Sequence, residues 1–463
     1  MSVRTETDSL GPVEVPEEAY WGAQTQRCLG LFGYGSQRLP DSFWKAYVVF
    51  KQAAAEVNAE LGELAPEIAG WIGAAAQEVL DGELEGQFPL GVWQSGSGTP
   101  SNMNVNEVLA NRANELAGGR RGAMRPVHPN DHVNRGQSTN DSFPSVMHLC
   151  VALELRDRLL PGLEALRDTL AAKAAATAGL TKVGRTHLQD ATPMRLGQEI
   201  GGWQALVDHS LATLRAGEPR LCELAAGGTA VGTGQNAHPR FAAELARRLA
   251  EKTRLPLTSA PDKFAALAGH PALVELSGQL SALAGSLLKI ANDVRWLASG
   301  PRCGLGEIEI PAGEPGSSIM PGKVNPTQAE ALIMVCIQVF GNHTAVSVAA
   351  SQGNFELNVC KPLIAHALLE SILTLAGAVE AFDRHCLRGL EPNEATLARN
   401  LEASLMLVTA LVPHIGYDAA AKIAQRAHRE GTTLREAAIA SGALSAEDFD
   451  AWVRPERMLG PEG

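Results

Sequence analysis

The chain has 463 residues, of which 45% are hydrophobic and only 5% aromatic, and its formal net charge is −12 at pH 7. A negative charge of this size argues against nucleic acid or an anionic membrane as the main partner, because both would repel the protein. Abundant alanine and leucine favour closely packed helices over a β-rich fold. We therefore expect a mainly α protein, long enough for two or three domains.

The cysteines and the first residues bear on cofactors and location. Seven cysteines are scattered along the chain without a C-x-x-C arrangement, which indicates neither a disulfide framework nor a clustered metal site. The first residues include acidic side chains and form no apolar segment, so we expect no secretory signal and no transmembrane segment. We expect a cytoplasmic protein without a metal or other cofactor.

The first half of the chain has two helical stretches, 41–62 and 64–81, followed by a loop over 91–104. In this loop Ser95, Ser97 and Thr99 alternate with glycines, so hydroxyls and backbone amides are concentrated where a small anion could bind. The alternative is an ordinary Gly-Ser connection. A helix is predicted to begin near Asn104, with its positive end towards the same ligand.

A second polar segment spans 125–140. His128 and His132 are four residues apart, as in some metal sites, but Pro129 interrupts a helical face and a third ligand is lacking. Anion binding by Arg125, His128 and Asn130 is the better functional hypothesis.

The chain then becomes helical from Phe143 to about Ala178, with a predicted break at Pro161-Gly162. A loop over 184–190, a helix over about 195–216 and a Gly/Thr-rich loop over 227–238 follow.

The clearest periodicity lies in the central region, where apolar residues are spaced 3-4-3-4-3-4-3, as along the seam of a helical bundle. These residues are Leu273, Leu276, Leu280, Leu283, Leu287, Ile290, Val294 and Leu297. The stretches 327–350 and 359–384 are apolar nearly all round, which predicts helices buried on every side in a bundle completed by other subunits. We predict three domains, 1–137, 138–390 and 391–463, the middle one carrying the long helices.

The most informative loop is 313–325, which joins two helical segments and contains three glycines and two prolines. It presents Ser317, with Lys323 six residues further on; this lysine and clustered backbone N–H groups are the groups that could stabilise a serine oxyanion. A phosphate-binding P-loop is excluded, because five residues rather than four separate Gly316 and Gly322, and Val324 follows the lysine.

Polar loops separated by long helices can converge at the end of a bundle. The combination of Ser, Thr, Asn, His and Lys suits a small carboxylate substrate and proton transfer α to that carboxylate.

At this point the residues match a known family, and the chain resembles the class II fumarases of the fumarase/aspartase superfamily over essentially its whole length. The loop motif that carries the resemblance is Gly316-Ser-Ser-Ile-Met-Pro-Gly-Lys-Val-Asn-Pro-Thr-Gln328. Further matching motifs are Ser97-Gly-Thr-Pro-Ser-Asn-Met-Asn104, His128-Pro-Asn-Asp131, Gln137-Ser-Thr-Asn-Asp-Ser-Phe-Pro144, Gly184-Arg-Thr-His-Leu-Gln-Asp190 and Gly353-Asn-Phe-Glu-Leu-Asn358.

The resemblance implies reversible addition of water to fumarate, giving L-malate, in a homotetramer whose active sites are each assembled from three subunits. It implies that Ser317 is the catalytic base, that His187 with Glu330 acts through a water on the departing hydroxyl, and that Lys323 supports catalysis. The implied substrate-binding residues are Ser97, Thr99, Ser138, Thr139, Asn140, Thr186, Ser318, Lys323 and Asn325, and a second anion site corresponds to Arg125, His128, Asn130 and Asp131.

Four positions depart from the usual fumarase pattern: Thr139, Pro100, Gln235 and His132. Thr139 keeps an aspartase-type ammonia-lyase as the alternative, because aspartases carry threonine there. Gly322 and Thr327-Gln328 follow the fumarase pattern instead. A catalytically silent structural protein is a further alternative, against which the intact serine, histidine, lysine and asparagine argue.

Overall fold

A computed structural model describes residues 2–460 and shows the expected mainly α-helical fold. The described helices are α1 (Ala23–Leu31), α2 (Asp41–Glu60), α3 (Pro66–Asp81), α4 (Thr99–Leu116), α5 (Thr139–Glu154), α6 (Leu160–Ala176), α7 (Leu196–Leu221), α8 (Phe241–Thr253), α9 (Lys263–Ala268), α10 (Pro271–Leu297), α11 (Thr327–Ala350), α12 (Lys361–Phe382), α13 (Glu394–Ala403), α14 (Val412–Ile415), α15 (Tyr417–Glu430), α16 (Leu434–Ala440) and α17 (Ala446–Trp452).

The strands within residues 2–460 are short, and each pairs with one other strand. They are β1 (Val3–Asp8), β2 (Gly11–Pro16), β3 (Thr181–Thr186), β4 (Gln189–Arg195), β5 (Glu223–Leu224), β6 (Thr258–Ser259), β7 (Ile308–Glu309), β8 (Gly353–Asn354), β9 (Leu357–Asn358) and β10 (Glu391–Pro392). The pairs β1–β2, β3–β4, β8–β9 and β7–β10 are antiparallel, and β5–β6 is parallel.

The chain divides into two compact units. Unit 1 comprises the chain up to Pro161 together with Ala212–Ala284 and Ile337–Ala376, and unit 2 comprises Gly162–Leu211, Gly285–Cys336 and the chain from Gly377 onward. The long helices α7, α10, α11 and α12 each contribute residues to both units. The predicted three-domain division stays a prediction.

Helix α10 confirms the heptad-like seam. All eight of the predicted seam residues, from Leu273 to Leu297, are buried. A continuous row of leucine and β-branched side chains at a and d positions removes apolar surface from water over the whole length of the helix.

Three predicted boundaries are wrong. Helix α4 begins at Thr99 rather than near Asn104, because Gly98 takes a left-handed conformation before it and Pro100 suits a first turn. Helix α5 begins at Thr139 rather than Phe143, and the break before α6 is a π-helical turn over Leu155–Leu159 instead of Pro161-Gly162. The predicted loop over 184–190 is the end of a β3–β4 hairpin, in which only His187 and Leu188 form the turn.

The predicted burial of the apolar helices by other subunits stays a prediction, and in the single chain α11 is not buried all round. On α11, Met334 is 65% exposed, Ile337 56% and Val348 59%. Two single helices, Thr327–Ala350 and the segment Lys361–Leu387, are long and apolar enough to cross a membrane by length and composition. Helix α11 therefore carries an apolar face that this chain leaves uncovered.

The C-terminal part of unit 2 has its own hydrophobic cluster, consistent with the predicted helical character of residues 391–463. Leu411, Ile423, Ala438 and Phe449 pack within it, and the ring of His414 stacks on Trp452 at 4.0 Å between centroids.

A buried ion cluster in unit 2 fixes the hairpin β3–β4. The Glu307 carboxylate accepts hydrogen bonds from Arg185 Nη1 at 3.0 Å and Asn400 Nδ2 at 3.1 Å, and it lies 3.2 Å from Lys182 Nζ. Burial alone would raise the pKa of Glu307, but Arg185, Lys182 and Asn400 outweigh it and lower that pKa. The strand that leads to His187 is therefore held to the segment around Glu307 by paired, buried charges.

We expect Glu307→Gln to destabilise the protein by about 3–5 kcal/mol, because it leaves the largely buried Arg185 without its counter-charge and leaves Lys182 paired with Glu199 alone. A carboxylate whose folded-state pKa is depressed contributes stability above its unfolded pKa and loses it as pH falls. The difference in Tm between the two proteins, measured from pH 7 downwards, should therefore shrink below about pH 4. A difference that is constant with pH would contradict this assignment.

Candidate active site

The hydroxyl-rich loop of unit 1 leads directly into helix α4. Ser97 Oγ lies 2.8 Å from Thr99 Oγ1 and 3.2 Å from Ser95 Oγ. Gly98 is required between them, since its φ is 81° and a Cβ there would lie 2.2 Å from the Phe143 ring. Three hydroxyls thus cluster at the N-terminus of an 18-residue helix, where partial positive charge favours an anion.

The N-terminus of α5 presents the second group of predicted substrate-binding residues. Ser138 is the N-cap and forms a capping box with Asp141. Thr139 is buried, with its Oγ1 accepting a hydrogen bond from Asn102 Nδ2 at 2.9 Å. Asn140 donates through Nδ2 to the carbonyl of Ala230 at 2.8 Å. The structure therefore holds these side chains rigidly at a second positive helix end.

Asp141 anchors this helix end from inside. Its carboxylate accepts from the backbone N–H of Ser138, Gly227 and Thr229 at 2.9, 2.8 and 3.0 Å. Burial raises the pKa of Asp141 although these hydrogen bonds oppose the shift. The Asp141 carboxylate thus caps α5 through one oxygen and ties the Gly/Thr-rich loop 227–238 to the helix through the other.

The second predicted anion site forms a π-helical turn over Pro129–Val133. His128 Nδ1 accepts from the backbone N–H of Asn130 and Asp131 at 3.2 and 3.1 Å, and His132 Nδ1 accepts from His128 N at 2.8 Å. In both histidines, Nδ1 is therefore the acceptor within the turn. Among the described residues there is no group of three or more His, Cys, Asp or Glu side chains that could hold a metal ion. Arg125, which precedes this turn in the sequence, is exposed to solvent.

In unit 2, His187 occupies an unusual backbone position. It forms the two-residue turn of the β3–β4 hairpin with Leu188, and their φ angles are 57° and 59°. Both central residues of such a turn need positive φ, which normally selects Asn or Gly. A left-handed conformation costs about 1–2 kcal/mol for an ordinary residue, and strain of this kind is concentrated at functional sites. The imidazole and Thr186 beside it are exposed.

The loop over 313–325, which we call the signature loop because it carries the family motif, is closed on itself by hydrogen bonds. Gly316 N donates to Lys323 O at 2.9 Å, and Asn325 Nδ2 donates to Gly316 O at 2.6 Å. Inside this closure, Ser317 Oγ accepts from the backbone N–H of Ile319 at 3.2 Å and Met320 at 3.0 Å. Two N–H groups directed at one hydroxyl oxygen would stabilise that oxygen when it is ionised.

We expect Gly316→Ala to open this loop, because a Cβ at that position would lie 2.3 Å from the carbonyl oxygen of Lys323. Displacing a reacting group by about 1 Å can cost ~100-fold in rate, so kcat should fall by about that factor with little change in Tm. Gly313→Ala is the matched control, since nothing lies within 4 Å of its added Cβ. Equal activities of the two variants would contradict the closure.

A cavity of about 900 Å³ in unit 2 brings together the predicted residues Lys323, Asn325 and Glu330. Arg295 and Trp296 of α10 line the same cavity. The sequence reasoning missed Arg295, whose Nε is buried without a hydrogen-bond partner; a lone arginine beside the apolar seam of α10 was the available signal.

The predicted residues thus fall into two groups. Ser97, Thr99, Ser138–Asn140 and the second anion site belong to unit 1, whereas Thr186, His187, Ser317, Ser318, Lys323, Asn325 and Glu330 belong to unit 2. Within residues 2–460 the structure does not pair His187 with Glu330, since neither side chain forms a hydrogen bond with another residue of the chain.

Comparison with known proteins agrees with this architecture. Residues 11–341 match the family described as Lyase, and residues 407–460 match the one described as Fumarase C C-terminus. The structure superposes on that of the class II fumarase from Schistosoma mansoni with a TM-score of 0.97 at 45% identity, covering 100% of both chains. The fold and the signature loop define a lyase of the fumarase/aspartase superfamily.

Two curated relatives specify the branch. The class II fumarate hydratase of Chromobacterium violaceum is 59% identical over 458 residues, 99% of each chain. That of Myxococcus xanthus is 58% identical over 462 residues, 100% of this chain and 99% of the relative. The chain belongs to the class II fumarate hydratase family, as its sequence motifs predicted.

Proposed function

We propose that the protein catalyses the reversible hydration of fumarate to L-malate, with Ser317 as the base. The observation that carries the proposal is the pair of backbone N–H groups of Ile319 and Met320 directed at Ser317 Oγ. In the direction of dehydration, the Ser317 alkoxide takes the proton from C3 of malate. The electron pair left on C3 delocalises into the adjacent carboxylate, which becomes more negative.

The departing hydroxyl is assigned to His187 and Glu330. His187 passes a proton through a water to the C2 hydroxyl, which leaves as water while the C2–C3 double bond forms. Glu330 orients the imidazole and compensates its charge. The strained, exposed turn supports this role, because it places the ring where groups from outside the hairpin can reach it.

The two carboxylates of the substrate require donors at both ends. Lys323 and Asn325 line one cavity in unit 2, and the hydroxyls of Ser97, Thr99, Ser138 and Thr139 lie at two helix N-termini in unit 1. Lys323 and the partial positive charges of the two helix N-termini would offset the net charge of −12, which on its own would repel a dianion. Asn140, Thr186 and Ser318 complete the proposed binding set, and Arg125, His128, Asn130 and Asp131 the second anion site.

The working form in our proposal is a homotetramer that shares each active site between three subunits. The uncovered apolar face of α11 supports assembly, since burying it against other copies would remove it from water. His187 and Glu330 lack partners within residues 2–460, as expected if their partners belong to another subunit. All seven cysteines are free thiols, which supports a reducing, cytoplasmic location.

The alternative of an aspartase-type ammonia-lyase is not favoured by the relatives, which are named fumarate hydratases. The test follows the loss of fumarate absorbance with and without ammonium, in buffer treated with a chelator. We expect malate to form at the same rate in both cases. A requirement for ammonium, with aspartate as product, would contradict the proposal.

A further inference from the structure

A chain of buried side chains in unit 1 leads from Lys51 to the hydroxyl of Thr139. Lys51 Nζ donates to Asn134 Oδ1 at 2.9 Å and to Gln137 Oε1 at 2.8 Å. Asn134 Oδ1 also accepts from Asn102 Nδ2 at 3.2 Å. The same Asn102 Nδ2 donates to Thr139 Oγ1 at 2.9 Å. Lys51, Asn102 and Thr139 are all buried.

The direction of every bond in this chain follows from Asn134. Its Nδ2 donates to the carbonyl of Gln137 at 3.2 Å, and a carbonyl can only accept, so the Asn134 atom that faces Lys51 and Asn102 is the oxygen. Asn102 must then turn its NH₂ towards Asn134 and its oxygen away. The contacts of Tyr47 are consistent with this orientation: its O–H donates to Asn102 Oδ1 at 3.0 Å, and its oxygen lies 3.0 Å from Ser142 Oγ.

The consequence for Thr139 is a fixed hydroxyl polarity. A hydroxyl has one hydrogen to donate and two lone pairs that accept. Asn102 supplies a donor on the inner side, so one lone pair of Thr139 Oγ1 is occupied there. Within residues 2–460 the Thr139 hydroxyl donates to no other group, so its hydrogen remains available on the outer side.

We propose that Asn102 is a positioning residue, which sets the Thr139 hydroxyl as a hydrogen-bond donor to a carboxylate of the substrate, with Tyr47 and the Lys51–Asn134 pair fixing the orientation of Asn102. This inference rests on the proposed function, because it needs a dianionic substrate at Thr139. A carboxylate accepts hydrogen bonds and cannot donate them. A Thr139 hydroxyl turned inwards would present lone pairs to that charge and weaken binding.

The test is a double-mutant cycle between Asn102→Ala and Thr139→Val, read as KM and kcat for fumarate and as inhibition by succinate, a four-carbon dianion without a reactive double bond. Thr139→Val removes the donor and should weaken the binding of both fumarate and succinate by about 10- to 100-fold, because the lost hydrogen bond is to a charged group. Asn102→Ala should weaken the binding of fumarate and of succinate by about tenfold. For fumarate, the change should appear mainly in KM. In the Thr139→Val background, Asn102→Ala should add less than about twofold.

Two further variants separate positioning from folding. Thr139→Ser keeps the hydroxyl, so it should retain binding and remain sensitive to Asn102→Ala. Tyr47→Phe keeps the buried ring and removes the hydroxyl that contacts Asn102 Oδ1 and Ser142 Oγ. It should weaken succinate binding in the same direction even if Asn102→Ala does not fold. Asn104→Ala is the matched control on α4: Asn104 is equally buried but donates to Gln87 O at 3.0 Å, outside this chain.

The outcomes are distinguishable. Additive effects of Asn102→Ala and Thr139→Val, or equal weakening of succinate by Asn104→Ala and Asn102→Ala, would overturn the positioning role while leaving the hydration activity untouched. If Thr139→Val itself left succinate binding unchanged, Thr139 would not hold the substrate and the inference would fail with that assignment. Absence of fumarate hydration in the unmodified protein would overturn the proposed function instead.

Discussion

Replacing Ser317 by alanine is expected to lower kcat for fumarate hydration by at least ~10³-fold, because the base that exchanges the C3 proton is lost. KM should change little, since the carboxylates are assigned to other side chains. The backbone N–H groups of Ile319 and Met320 would remain in place but would have no oxygen to stabilise. Steady-state kinetics and size-exclusion chromatography of the same preparation would measure both activity and assembly.

The neighbouring Ser318 supplies a matched comparison for this result. It lies one residue further along the loop, is exposed, and accepts neither of the two N–H groups. Ser318→Ala should therefore lose about tenfold, mainly in KM, as expected for one hydrogen bond to substrate. Near-normal turnover of Ser317→Ala, or a larger loss in Ser318→Ala, would reject Ser317 as the base.

The fold was predictable where one physical signal dominates. The α10 seam follows from side-chain periodicity alone, and every one of its eight residues is buried. The β3–β4 hairpin was missed because its turn residues are His187 and Leu188, which carry none of the Asn-Gly chemistry that marks such turns. The start of α4 was missed because Ser, Thr and Asn residues favour turns and caps, and the packing of this buried helix overrides that preference.

The site divides in the same way. The loop around Ser317 and the hydroxyls of Ser97 and Thr139 were identifiable from motifs, because their residue types are contiguous in sequence. For Thr139, one of the side chains proposed to orient it comes from a distant segment: Tyr47 contacts Asn102 across 55 positions of the chain. Such partners become visible only when the helices are packed, as does the place of Arg295 in the cavity wall.

The burial of α11 could not be judged from one chain. Its sequence is apolar all round, and the structure leaves Met334, Ile337 and Val348 exposed. Either a membrane or other protein copies could cover such a face by composition alone. The proposed assembly of identical chains would also account for His187 and Glu330 being unpaired within residues 2–460, which a membrane would not.

The proposed sharing of active sites between subunits makes a sharp prediction for mixed oligomers. Ser317→Ala and His187→Asn should each be inactive, yet co-expressed chains should recover activity of up to about a quarter of normal, because some sites then combine an intact serine with an intact histidine from another subunit. Separately purified and unmixed variants are the control. Failure of tagged hybrid oligomers to recover activity would show that one chain supplies both residues.

We expect the charge substitution Ile337→Glu on α11 to dissociate the proposed tetramer and lower activity more than ~100-fold. An ionised carboxylate buried without a partner costs several kcal/mol or more, and closed symmetry repeats that cost in every copy. Since dissociation separates residues that must meet, the residual activity should rise with protein concentration as subunits reassociate. Light scattering across a dilution series, with initial rates on the same samples, measures both quantities.

Leu10→Glu is the control for this experiment, because Leu10 is 79% exposed between β1 and β2 and belongs to no apolar helix face. It should leave mass and activity unchanged, which shows that an added surface charge alone is harmless. An Ile337→Glu protein that stays tetrameric would place α11 outside the interface. A fully active monomer would contradict sharing of the site, since one chain would then hold Ser317 and its partners together, and the strained turn at His187 would have to find Glu330 within its own subunit.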